Sequence, residues 1–230
     1  MTAASRPRTS PGRQTRQSKR AQARADRTRL LVIEETIKCI REEGFAAAST
    51  RHIVERAGVS WGVIQYHFGD RDGLLTAVID YGFDTLVESL NELADTAEGV
   101  TDARSRAETL SAAAWQIFST PTAMGALEIL IATRALRGTM DAKKFHGLQA
   151  ALARIVSLID DSTPHAESIA TLLWAGPVGM MVARIVMPRP LRAQSGQDAL
   201  ADLIADHLSV RAAPAAKSVA GSPRKRRKGA

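Results

Sequence analysis

The chain is short of the residues that mark several common protein classes. It has one cysteine, Cys39. No intramolecular disulfide can form, so a disulfide-stapled secreted scaffold is excluded and a reducing, cytoplasmic setting is expected. Aromatic residues make up only 4% of the chain. No apolar run reaches the roughly 20 residues that cross a bilayer. The longest, Leu172 to Met187, contains Gly176, Pro177, Gly179 and Arg184 and reads as a buried helix. Residues 1–29 lack the apolar segment of a signal peptide. No stretch alternates apolar and polar residues as a half-buried strand does. The five histidines, His52, His67, His146, His165 and His207, show no metal-ligand spacing. There is no Gly-rich phosphate loop and no nucleophile elbow. Neither a metal nor a cofactor is expected, and no enzyme.

Charge is present but unevenly spread. The net charge is +7. Residues 1–29 hold nine basic side chains against Asp26 alone, and residues 211–230 hold seven with no acid. The segment between them is therefore acidic. Basic arms on an acidic body suit a polyanionic partner, although such arms also serve as solubilising tails. Residues 1–26 and 211–230 lack periodic apolar positions and read as disordered.

Between the tails, apolar residues recur with helical spacing. Leu30, Ile33, Ile37 and Ile40 form one stripe that ends at Gly44. Ser49 can cap a short helix with Ile53, Val54 and Ala57 inward, and Gly58 ends it. Ser60 caps the next, through about His67. Asp70 opens a long helix whose Leu75, Ile79, Phe83, Leu86, Leu90 and Leu93 share a side. Further helices are expected near 104–119, 122–137, 141–160, 165–186 and 197–209, with a kink at Pro177.

The stretch Ser49 to Leu75 carries the functional signal. Gly58 suits a left-handed backbone, Val59 buries the turn, and Ser60 restarts the chain. Two short helices joined in this way form a helix-turn-helix, whose second helix enters the DNA major groove. Over residues 28–80 the chain resembles the TetR family of bacterial regulators. The resemblance is carried by Ile53, Ala57-Gly58-Val59-Ser60, Gly62, Ile64, His67, Phe68, Asp72 and Leu74-Leu75. It departs from the family at Gln65, where Tyr is frequent, and at Arg71, where Lys is usual.

The resemblance implies an all-α protein. An N-terminal three-helix DNA-binding domain (27–70) would precede a helical effector-binding and dimerisation domain (71–210). It implies phosphate contacts from Thr50, His67 and Arg71, and base contacts from Arg51, Trp61, Val63, Gln65 and Tyr66. Ser60 starts the reading helix, and Gly62 permits close approach of its backbone. Tyr66 and His67 are also readable as packing residues, and Arg51 as an ordinary surface residue. Residues 30–80 hold five basic and eight acidic side chains, so the N-terminal arm is expected to supply electrostatic affinity.

The C-terminal half mixes large apolar residues with isolated polar ones. Trp115, Phe118, Met124, Glu128, Arg134, Trp174 and Met181 are candidates for an effector pocket, or for plain core. The last two long helices are expected to pair in a homodimer. The reading that results is a repressor released from a palindromic DNA operator by a small apolar or amphipathic effector. A sequence-blind architectural DNA-binding protein and a helical lipid-binding protein or enzyme are the competing classes.

Overall fold

The computed structural model describes residues 11–134, 142–159, 166–187 and 193–209. These residues form nine α-helices and one 3-10 turn, with no strand among them. The order is α1 (Pro11–Glu43), the turn Phe45–Ala47, α2 (Thr50–Ala57), α3 (Trp61–Phe68), α4 (Arg71–Glu98) and α5 (Ala103–Phe118). Then follow α6 (Pro121–Ala132), α7 (Ala142–Ile159), α8 (Ala166–Val186) and α9 (Ala193–Ser209).

Local chemistry sets most of these limits. Gly58 adopts φ 61°, ψ 32° after α2, a left-handed conformation that costs a side-chain-bearing residue about 1–2 kcal/mol. The Ser49 hydroxyl accepts from the His52 amide at 3.3 Å, and the Asp70 carboxylate from the Gly73 amide at 2.8 Å. Asp102 and Thr120 do the same for α5 and α6. Ser60 occupies the expected cap position of α3, but its side chain makes no capping bond.

Two apolar cores result. The first joins Ile33, Ile37 and Ile40 of α1 to Ile53 of α2, Ile64 of α3 and Leu74, Val78 and Ile79 of α4. Full burial of Ile64, at 0% exposure, is worth roughly 1.5–3 kcal/mol. Leu30 of the predicted α1 stripe lies at its edge and is exposed. The second core joins the far half of α4 (Leu90, Leu93, Ala94) to α5, α7, α8 and α9. So α4 serves both cores, and a boundary at residue 70 divides a continuous structure. Helix α6 crosses over too, since its Ile129 is buried in the first core.

Three local expectations are corrected. The described part of the basic N-terminal arm, from Pro11, is not disordered; it is the first half of α1. Helix α6 ends at Ala132, short of the expected 137, because the chain turns at Thr133 and Arg134. Helix α9 begins four residues early, at Ala193. Helix α8 is unbroken across Pro177, whose ring is buried. The tail 211–230 lies outside the described residues, as do the side chains of Arg184, His207 and Leu208. No described helix is long and apolar enough to cross a membrane.

Candidate nucleic-acid interface and effector cavity

Helix α3 is held from behind and open in front. Ile64 is fully buried and Phe68 packs against the same core. The opposite face carries Trp61, Gly62, Gln65 and Tyr66, all exposed. Trp61 is 52% exposed and Tyr66 79%. Spacings of four place Trp61 with Gln65, and Gly62 with Tyr66, on one side of the helix. A Cβ built at Gly62 would meet only the Ser60 hydroxyl, at 3.7 Å, so the space before it is open. Tyr66 and His67 meet edge to face, with ring centroids 4.8 Å apart.

The other candidate contacts are placed less freely. Val63 is half-buried and packs on the domain core. Thr50 is the first residue of α2 and half-buried. Arg51 is exposed but bonded through Nε to Glu55 at 3.0 Å. Arg71 is committed to the fold: its Nε donates to the Ala48 carbonyl at 2.8 Å and its guanidinium lies 5.0 Å over the Phe45 ring. It staples the start of α4 to the turn after α1, so a role confined to phosphate contact is too narrow.

Gly73 was not singled out by the sequence, yet it fixes the α3–α4 turn. A Cβ there would lie 1.9 Å from the Phe68 carbonyl oxygen.

The fold also assembles a group that spacing along the chain did not reveal. Ligand atoms of Cys39, Glu43 and His52 lie within 4.8 Å of one another. His52 Nε2 meets Glu43 at 2.9 Å, and Arg56 bonds both Glu43 and Glu42. Burial opposes ionisation of Glu43, but hydrogen bonds and charge from His52 and Arg56 outweigh it and hold the carboxyl below its ordinary value. Burial, with the Glu43 charge, pushes the Cys39 thiol up. With Arg56 already balancing these carboxylates, the group reads as an ion network clamping α1 to α2.

In the second half, a cavity of about 360 Å³ lies between α4, α5, α6, α7 and α8. Gly82, Phe83 and Leu86 line it from α4, and Ala123, Ala126, Leu127 and Leu130 from α6. Phe118, Leu148, Leu152, Trp174 and Val178 complete the wall. Every lining residue is apolar. Of the seven candidates, Phe118 and Trp174 line it; Trp115, Met124, Glu128, Arg134 and Met181 do not. Trp115, Met124, Glu128 and Met181 lie on helices that wall the cavity but outside its lining, and Arg134 lies in the turn beyond α6.

Glu128 has a different partner. Its carboxylate accepts from the backbone N–H of Phe45 at 2.9 Å, in the turn between α1 and α2. One turn earlier, a Cβ at Gly125 would come within 3.2 Å of Ile37 Cγ2. Thus α6 lines the cavity with one face and grips the helix-turn-helix unit with another. A Cβ at Gly82 would lie 2.7 Å from Ala126 Cβ, so α4 and α6 touch closely beside the cavity.

The architecture defines the class, an all-helical protein with an N-terminal helix-turn-helix. Residues 32–78 match the model of bacterial regulatory proteins of the tetR family. Over these residues the chain is similar to the TetR family. It is 39% identical over 61 residues to the transcriptional regulator BetI of Yersinia pestis (strain Pestoides F), a match covering 26% of this chain and 31% of the relative. The chain thus spans about a third of the length of the curated relatives it matches.

The fold extends further than the sequence match. A candidate TetR-family regulator of Mesorhizobium loti superposes with a TM-score of 0.62 at 15% identity, covering 81% of this chain and 98% of the other. A TetR-family regulator of Cytophaga hutchinsonii gives 0.56 at 17%, covering 81% and 96%.

Proposed function

We propose that the chain is a ligand-responsive transcription regulator, a homodimeric repressor that binds a palindromic operator and is released by a small apolar effector. The observation that carries the DNA-binding part is the exposed face of α3. Trp61 and Tyr66 stand in water on a helix of eight residues, an arrangement that is costly without a partner. Gln65 beside them can pair with adenine, and Trp61 can pack on a thymine methyl. Thr50, His67 and the remaining donors of Arg71 flank the helix where phosphates would pass. Arg51 reads a base only by giving up its bond to Glu55.

Two-fold operators call for a two-fold protein. Exposed Leu172 and Val182 on α8 and Leu203 on α9 supply an apolar face for a second copy. The apolar cavity supports the effector reading, and α4 and α6 supply the route. A guest that parts α4 from α6 would alter the separation of the two α3 helices, which must match half-sites about one helical turn apart.

Footprinting on DNA enriched by the wild-type protein tests the reading. A discrete two-fold site is expected, lost in Trp61→Ala and Tyr66→Ala proteins that keep the wild-type melting temperature. Unchanged protection by both variants, or sequence-blind coating by the wild type, refutes it.

A further inference from the structure

We propose that the amino-terminal limb of α1, Lys19 to Arg29, is a second DNA-contacting element, gripping sugar-phosphate backbone that flanks the site read by α3. The proposal rests on the reading of α3 as a groove-binding helix and adds to it a surface of different chemistry.

The first ground is geometry. Arg20, Arg24 and Thr28 recur every four residues and so share one face of α1. That face forms one wall of an open groove of about 710 Å³, and Val59, Val63 and His67 form the other. The groove therefore runs alongside α3 and shares His67 with it. A phosphate strand passing the flank of α3 would meet two guanidinium groups on one side and an imidazole on the other.

The second ground is where the free cations lie. Past residue 30, the helix-turn-helix unit has few charges to offer. Lys38 is bonded to Glu35, Arg51 to Glu55, and Arg56 to Glu42 and Glu43. Arg71 is held by the Ala48 carbonyl and the Phe45 ring. Arg41 sits at the opposite end of α1. On the limb, by contrast, Lys19, Arg20, Arg24 and Arg27 are exposed, and none is in ion-pair contact with a carboxylate among the described residues. Its one acid, Asp26, accepts from the Gln22 amide at 2.9 Å. Arg29 lies 5.6 Å over the Phe68 ring, which ties the limb to the end of α3.

The third ground is rigidity. The limb is continuous with a helix anchored in the core by Val32, Ile33 and Ile37. At 1.5 Å per residue, Lys19 to Arg29 projects roughly 15 Å, the length of about four phosphates along one strand at 3.4 Å spacing. Charges fixed on a helix bind without the ordering cost of a disordered arm. The occupant must be polyanionic and regularly spaced, and it must lie beside the groove occupied by α3. Duplex DNA meets all three conditions.

The test compares the full-length wild type with an Arg20→Gln, Arg24→Gln, Arg27→Gln variant and an Arg41→Gln control. The probes are a duplex enriched from random sequence by the wild type and an unselected random duplex. Affinity for each is measured across salt concentrations. Each lost phosphate contact lowers the slope of log affinity against log salt by about 0.9, so the triple variant should lose roughly 2–3 units. It should keep the wild-type preference for the enriched duplex and show a footprint shortened at its outer edges. The control should match the wild type. A slope unchanged in the triple variant overturns the proposal, as does loss of preference at an unchanged slope. Should the wild type itself show no preference, the reading of α3 fails instead; the slopes on random duplex then still decide whether the limb binds phosphates.

Discussion

Glu128→Ala tests whether α6 is fastened to the helix-turn-helix unit through one side chain. In the native chain a carboxylate oxygen accepts from the Phe45 N–H at 2.9 Å across 83 residues of sequence. Removing the acceptor leaves the amide unpaired in a half-buried turn. A hydrogen bond to a charged group is worth roughly 1.5–3 kcal/mol, and partial access of water to the freed amide moves the expectation to the lower end, about 1–2 kcal/mol. That corresponds to a 5- to 30-fold shift in the unfolding equilibrium, or roughly 2–8 °C in melting temperature for a chain of this size. Glu128→Gln keeps a carbonyl acceptor and should lose less than half as much. Urea unfolding followed by circular dichroism measures both, provided the denaturant slope is unchanged. An alanine variant within about 0.5 kcal/mol of wild type, typical of a neutral surface change, would refute the reasoning. A glutamine variant as damaged as alanine would show that the contact is not a hydrogen bond to Phe45.

Three further outcomes follow from the same geometry. Gly73→Ala should be strongly destabilising and should disturb α3, because the added Cβ meets a backbone oxygen at 1.9 Å; a melting temperature equal to wild type would contradict the tight turn. The Cys39 thiol, buried and pushed up by its surroundings, should react with a disulfide reagent far more slowly in the folded chain than in denaturant, and equal rates would disprove its burial. Asp102 is held below its ordinary value by the Ser105 hydroxyl and amide. Its charged cap on α5 therefore stabilises fully above the ordinary carboxylate range and fades as pH falls through the lowered value. The stability gap between wild type and Asp102→Ala, followed by urea titration, should narrow in acid; a gap that widens there reverses the sign and refutes the argument.

How much of this was legible in the sequence follows from the range of each interaction. The helix-turn-helix was readable because its determinants are local: Gly58 turns the chain, and Ser49 and Asp70 cap within three residues. Inward Ile53 and Ile64 follow from the same short pattern. The bonds from Glu128 to Phe45 and from Arg71 to Ala48 join distant segments, and no spacing rule reports them. The Cys39, Glu43 and His52 group was missed for the same reason, since it forms only when α2 folds against α1. The cavity was legible as a region but not as a surface. Phe118 and Trp174 were identified, whereas Gly82 and Ala126, whose small size lets α4 and α6 close beside it, carry no chemical label in a sequence. The basic arm was recognised by charge, but its helical state was not, because an exposed helix has no apolar stripe to betray it.

The wall of the α4–α8 cavity carries a single side-chain hydrogen-bonding group, the Trp174 indole N–H, and that limits how finely any occupant can be sorted. Across the rest of the wall there is no donor or acceptor to leave stranded, so a wrong guest there loses little: one methylene more or less changes affinity by about 10- to 200-fold, whereas a missed polar partner can cost about 10⁴ or more. Selection then falls to volume and outline, so molecules of unlike chemistry but similar bulk would be hard to tell apart.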